Sequence, residues 1–157
     1  MSIHILSYND PVDQTSTNQH ASANITLIRH GEPVGGTRYR GRTNDPLSQL
    51  GWRQMHNANL TAAYWHQILS SPLNRCLDFA RYIANSQHTR VEQSADFAEI
   101  NFGEWEGKTA AELTLHDPMN FSIFLNNPLD YTPPKGENVL NFSQRIISAW
   151  ENVINNL

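Results

Sequence analysis

Two short strand-like runs, residues 25–29 and 65–70, each lead through a loop into an amphipathic helical pattern, and this alternation constrains the fold more than any other feature. The first run, Ile25-Thr26-Leu27-Ile28, is continuous rather than alternating in polarity, as in a strand buried on both faces. Residues 33–46 then form a loop punctuated by Gly35, Gly36, Gly41 and Pro46, and Ser48 stands as N-cap of a helix expected over 49–64, with Trp52 and Met55 three apart. Past the second run, a helix over 73–85 carries Leu73, Cys76, Leu77, Ala80 and Ile83 or Ala84 as a stripe on one side. Residues 89–93 read as a third strand and 109–125 as shorter helices. A last helix begins near Asn138, with Val139, Phe142, Ile146, Ala149, Trp150 and Val153 at helical spacing. Gly103 and Gly107 bracket a turn, and Pro128, Pro133 and Pro134 mark another loop. Strands alternating with such helices imply an α/β sandwich with a mostly parallel sheet.

The 157 residues fit one domain with one core. An apolar fraction of 39% and a mean hydropathy of -0.53 describe a soluble globular chain, and no apolar stretch is long enough to span a membrane. The net charge of -4 argues against nucleic-acid binding, which needs a basic face. It leaves room for a small anionic substrate, because a few arginines make a pocket locally positive. The single cysteine, Cys76, excludes an internal disulfide, fits a reducing compartment and is expected to be a buried thiol. Residues 1–24 are rich in Asn, Gln, Ser and Thr, with no basic start or long apolar centre, so they read as a flexible tail rather than a signal peptide. The expected domain is 25–157, with cytoplasmic residence as the default.

Ligands of parallel sheets bind at the carboxyl ends of the strands. Arg29 and His30 end the first strand, Ser70-Ser71-Pro72 end the second, and Arg75 lies in the first turn of the following helix. Phosphoryl transfer needs an in-line nucleophile, positive charge on the equatorial oxygens and a proton for the leaving group. A neutral His30 can attack phosphorus, and two nearby guanidiniums hold its pKa down. Arg29 and Arg75 can grip phosphate oxygens with paired donors, and the N-terminus of the helix beginning near Leu73 would add oriented N–H groups. Glu99, between apolar neighbours that raise a carboxyl pKa, is the best-placed proton donor, ahead of Glu104, Glu106 and Glu137. Taken singly, each of these residues is more often ordinary surface. His4, His20, His56, His66, His88 and His116 are assigned as exposed or satisfied, and Trp52, Trp105 and Trp150 as core. The seven histidines show no metal-ligand spacing.

Several segments in order make the set specific. Leu27-Ile28-Arg29-His30-Gly31-Glu32, the loop from Tyr39-Arg40-Gly41-Arg42 to Asp45-Pro46-Leu47-Ser48 and Gly51, Ser70-Ser71-Pro72-Leu73-Asn74-Arg75-Cys76, and the stretch from Glu99 to Gly107 resemble the histidine phosphatase superfamily, also called phosphoglycerate mutase-like. Pro134-Lys135-Gly136-Glu137 is a weaker fifth match. The resemblance implies a three-layer α/β/α fold, a phosphorylated His30, phosphate held by Arg29 and Arg75, a proton from Glu99, and no metal or organic cofactor. Within the family, Arg40, Gly41 and Arg42 in a short loop look more like α-ribazole phosphatase-type members, and they are candidate substrate contacts. The implied activity is hydrolysis of a small phosphorylated metabolite, with α-ribazole 5′-phosphate as the candidate and a link to cobalamin biosynthesis. The alternatives are a mutase-like phosphotransferase and a catalytically impaired phosphate-binding protein.

Three departures stand out. Pro33 and Val34-Gly35-Gly36 replace a small hydroxylated residue and an asparagine, Phe79 replaces a threonine, and no late strand-His-Gly segment follows the last helix. In the family that late strand lies beside the nucleophile strand. The expectation is therefore a shortened phosphatase missing its last strand or strands, with an exposed sheet edge. That edge could pair two copies into a homodimer.

Overall fold

The computed structural model describes residues 3–8, 24–58 and 60–156. Its sheet has four strands, β1 (Ile3–Tyr8), β2 (Asn24–Arg29), β3 (Gln67–Ser70) and β4 (Arg90–Gln93), in the order β2-β1-β3-β4. β3 and β4 pair in parallel, with Ile68 opposite Val91. β1 is antiparallel to both neighbours, with His4 opposite Ile28 on one side and Ser70 on the other. β2, β3 and β4 therefore all run one way and β1 runs against them.

β1 departs from the flexible tail expected over 1–24. Its backbone supplies partners for the N–H and C=O groups that β2 and β3 present to each other, groups that are costly to leave unpaired in a core. The six residues Ile3-His4-Ile5-Leu6-Ser7-Tyr8 are rich in strand formers, a local preference hidden by the polar composition of the longer segment. The rest of the tail, 9–23, lies outside the described residues. One edge of β2 is thus covered, and its other edge has no strand partner among the described residues. For that reason β2 is half-exposed rather than buried on both faces, and Leu27 is 56% exposed.

Helices cover the two faces. Ile68 and Leu69 point to opposite sides, as successive strand residues must. Ile68 meets Met55 of α1 (Gln49–Asn57) and Phe79, Ala80 and Ile83 of α2 (Asn74–Gln87), with Ile28 and Trp52 alongside. Leu69 and Ile25 meet Phe97 and the stripe Ile146, Ala149, Trp150 and Val153 of the last helix, Val139–Asn155. The result is the three-layer α/β/α arrangement. Phe79 fills the core beneath Trp52, with ring centroids 5.6 Å apart, so the position where a threonine was expected faces packing rather than the site.

Ser48 caps α1 as expected, its hydroxyl accepting from the Gly51 N–H at 3.0 Å. The helix stops at Asn57 rather than at 64. Beyond it, one 3₁₀ turn, Leu60–Ala62, is tied down by the buried Trp65, whose indole N–H donates to the Leu60 carbonyl at 2.7 Å. Between β4 and the last helix lie α3 (Ala110–His116), α4 (Pro118–Asn126) and an aromatic cluster. There Trp105, Leu113 and Phe121 are buried against Tyr39, Phe102, Phe124 and Tyr131. The last helix, α5, spans Val139–Asn155 and begins at Asn138, whose side chain caps it. No helix among the described residues is long and apolar enough to cross a membrane.

Candidate active site

The chain leaves β2 at Arg29 and bends at once through His30-Gly31. Gly31 lies so close to Gly51 in the first turn of α1 that a Cβ would stand 2.8 Å from the Gly51 Cα. Only glycine permits that approach, and it brings His30 over the end of the sheet. The His30 Nδ1 lies 2.7 Å from the Gly31 carbonyl oxygen. A carbonyl only accepts, so Nδ1 carries the proton and Nε2 keeps the lone pair in the neutral ring. The His30 pKa is held below 6.5 first by burial, with Arg75 and Arg29 adding like-charge repulsion and the Gly31 contact opposing it. The arginines act as expected, but desolvation is the larger cause.

Arg75 is 1% exposed. Its Nη1 donates to the Thr43 carbonyl at 2.7 Å and its Nη2 to the Gly41 carbonyl at 2.8 Å, so the loop orients the guanidinium. The N–H groups of Gly41, Arg42 and Thr43 in the same loop go instead to Glu106. Its carboxylate accepts from the backbone of Gly41, Arg42 (2.8 Å), Thr43 (2.9 Å) and Phe102 (3.0 Å), and from the Thr43 hydroxyl. Burial, the largest influence, pushes the Glu106 carboxyl up, but these donors together hold it below its ordinary value. Glu106 is therefore an ionised organiser of the 41–43 loop rather than a proton donor. Gly41 is required by the crossing, since a Cβ there would meet the Ile100 carbonyl and stand 2.5 Å from a Glu106 oxygen.

Glu99 is 9% exposed, and its Oε1 accepts from the Ile100 N–H at 3.1 Å. The competing carboxylates are accounted for elsewhere. Glu104 pairs with Lys135 at 2.8 Å on the surface, and Glu137 is gripped by Arg145 at 2.6 Å, a hydrogen bond that holds its pKa down.

Arg29, His30, Arg75 and Glu99 line one cleft of about 510 Å³, ordinary for a small-molecule site. Its outer wall is Pro33, Arg38, Tyr39 and Phe102, backed by the aromatic cluster. Arg40 also lines it, but its guanidinium is committed to Asp45 (2.6 Å), Gly36 (3.1 Å) and Val34 (2.8 Å), so it braces the loop. Gly41 and Arg42 are not among the lining residues; Arg42 is exposed and gives its backbone N–H to Glu106. At the start of α2 the Asn74 N–H is taken by the Asn44 side chain at 2.6 Å, so that amide does not face the cleft unoccupied. Cys76 is buried. Among the described residues, no three His, Cys, Asp or Glu side chains are grouped to hold a metal ion.

Arg38, Phe102 and Arg145 escaped the sequence reading. Arg38 and Phe102 adjoin recognised segments and could have been found from the loop's arginine and aromatic content. Arg145 had no local sign, being one polar residue on an amphipathic helix.

The model of the histidine phosphatase superfamily (branch 1) matches residues 25–157. A bifunctional protein of Mycobacterium tuberculosis is 34% identical over 138 residues, covering 83% of this chain and 37% of the relative. The adenosylcobalamin/alpha-ribazole phosphatase of Escherichia coli is 31% identical over 127 residues, 78% of this chain and 62% of the relative. The chain thus spans less than two thirds of these relatives' lengths. The crystal structure of the alpha-ribazole phosphatase from Shigella flexneri superposes with a TM-score of 0.73 at 27% identity, over 82% of this chain and 66% of that one. Fold, motif order and sequence agree, and the chain belongs to the histidine phosphatase superfamily.

Proposed function

We propose that this chain is a phosphomonoester hydrolase acting through a phosphohistidine on His30. The observation that carries the reading is the 2.7 Å contact of His30 Nδ1 with the Gly31 carbonyl, which assigns the proton to Nδ1 and the nucleophilic lone pair to Nε2, in a cleft shared with two arginines and a buried carboxyl group. Nε2 attacks phosphorus as the bond to the ester oxygen breaks. Arg29 and Arg75 offset the charge gathering on the phosphoryl oxygens. A protonated Glu99 gives its proton to the departing oxygen. Water then attacks the phosphohistidine, Glu99 takes the water's proton, and phosphate leaves with Nε2 restored.

The outer wall supports a finer assignment. Tyr39 and Phe102, with ring centroids 5.2 Å apart, offer aromatic surface to the alcohol half of the substrate, which suits a phosphorylated ribosyl base of the α-ribazole 5′-phosphate type. Self-association through the edge of β2 that has no strand partner among the described residues, and a cytoplasmic setting, belong to the same proposal. The test is labelling with a phosphoryl donor and locating an acid-labile, base-stable phosphate on His30. A His30→Ala variant that keeps full activity rules the mechanism out, and phosphate binding without any label favours the binding-protein alternative.

A further inference from the structure

The backbone of Glu99 is held by a residue 46 positions further along the chain. Arg145, on α5, points its guanidinium into the loop that carries Glu99. Its Nη1 donates to the carbonyls of Asp96 (2.6 Å) and Ala98 (2.8 Å), and its Nη2 to the carbonyl of Glu99 itself (3.2 Å). The rest of the fork is bound to Glu137, Nε to Oε1 at 2.6 Å and Nη2 to Oε2 at 2.8 Å. Glu137 is in turn fixed to the far end of the same loop: its N–H donates to the Asn101 carbonyl at 2.7 Å and its Oε2 accepts from the Asn101 N–H at 3.2 Å. Both side chains are largely buried, at 18% and 17% exposure, and the guanidinium lies 4.8 Å from the Phe142 ring centroid. A planar fork pinned on both edges leaves little rotation, unlike a lysine.

We infer that Arg145, held by Glu137, is a positioning residue for proton transfer: it sets the backbone of Glu99 so that the carboxyl group meets the leaving oxygen. The inference rests on the reading of Glu99 as proton donor. Three backbone carbonyls, two just before residue 99 and one at it, converge on one cation, an arrangement that core packing alone does not require. The surrounding fold is held separately by the Leu69–Phe97–Trp150 cluster.

The loss of a positioned acid has a signature that loss of stability lacks: it harms substrates in proportion to how badly their leaving groups need a proton. The experiment compares kcat/KM, which reports phosphoryl transfer to His30, for 2,4-dinitrophenyl phosphate and for a simple alkyl phosphate. In Arg145→Ala the alkyl ester is expected to lose about 10²-fold or more, and the dinitrophenyl ester less than about threefold. Glu99→Gln should show the same selectivity, and the double variant should be no worse than Glu99→Gln. Should Arg145→Ala fail to fold, as judged by circular dichroism, Glu137→Gln provides the same comparison with the cation retained. Equal losses on both esters overturn the inference while leaving the proposed function intact. A wild-type chain that forms no phosphohistidine, or a Glu99→Gln variant without leaving-group selectivity, removes the reading beneath it.

Discussion

Replacing Glu106 by Gln tests the loop architecture by changing one oxygen to an amide. Oε1 accepts from the N–H groups of Gly41, Arg42 and Phe102, and Oε2 from those of Gly41 and Thr43 and from the Thr43 hydroxyl. A glutamine does least harm with its carbonyl at the Oε1 position, where three bonds survive as neutral ones. Its NH2 then faces the Thr43 N–H, which loses its partner, while the Thr43 hydroxyl can turn and accept. One orphaned backbone donor costs about 1–3 kcal/mol, and each surviving bond loses roughly 1 kcal/mol of its charge-assisted strength. The side chain is only half-buried, so solvent recovers part of this, and the expected net loss is about 3–5 kcal/mol. For a chain of this size that is a fall in Tm of roughly 6–20 °C. Urea unfolding followed by tryptophan fluorescence, to which the buried Trp65 and Trp105 contribute, reads the difference directly. The folded-state pKa of Glu106 is depressed, so its stabilisation is fully present above the ordinary carboxyl value of 4.5 and is lost as pH falls through the folded value. The gap between wild type and variant should therefore close on acidification. A loss under about 1 kcal/mol at pH 7, or a gap independent of pH, would refute the assignment of Glu106 as organiser.

Two further outcomes are expected. The His30 pKa is lowered, so the unfolded chain binds the proton more readily between the folded value and 6.5, and the native imidazole stays neutral through that window. Ring-proton NMR should place the His30 midpoint below 6.5, and Arg29→Met should raise it without reaching 6.5, because burial is the larger cause; a wild-type midpoint at or above 6.5 contradicts the account. Gly41→Ala forces a methyl group against the Ile100 carbonyl and Glu106, in the loop whose Gly41 carbonyl holds Arg75, and should cost about 3 kcal/mol or more in urea unfolding together with weaker binding of inorganic phosphate; wild-type values for both would show that the loop yields freely.

The local elements were readable because they rest on short-range physics. Ser48 caps because its hydroxyl sits three residues before an unpaired N–H, and the stripe from Leu73 to Ala84 follows one helical face. The end of α1 was misplaced because Trp65, not the helix's own residues, decides where the chain turns. Glu106 and Glu99 could not be told apart by type or neighbours. They differ in where the fold puts each, Glu106 under five donors of the 41–43 loop and Phe102, and Glu99 on the wall of the cleft.

From residue order alone came the proposed nucleophile, the two arginines, the carboxyl candidate and the layered α/β plan, because strand, turn and helix periodicities and the strand-end position of Arg29-His30 are local facts. Tertiary packing alone decided the rest. It put β1 between β2 and β3, set the His30 tautomer through Gly31, split the peptides 41–43 between Arg75 and Glu106, and brought Arg145 behind Glu99. Each of these is a choice of hydrogen-bond partner between distant segments. Such a choice exists only once burial has removed water as the competing partner.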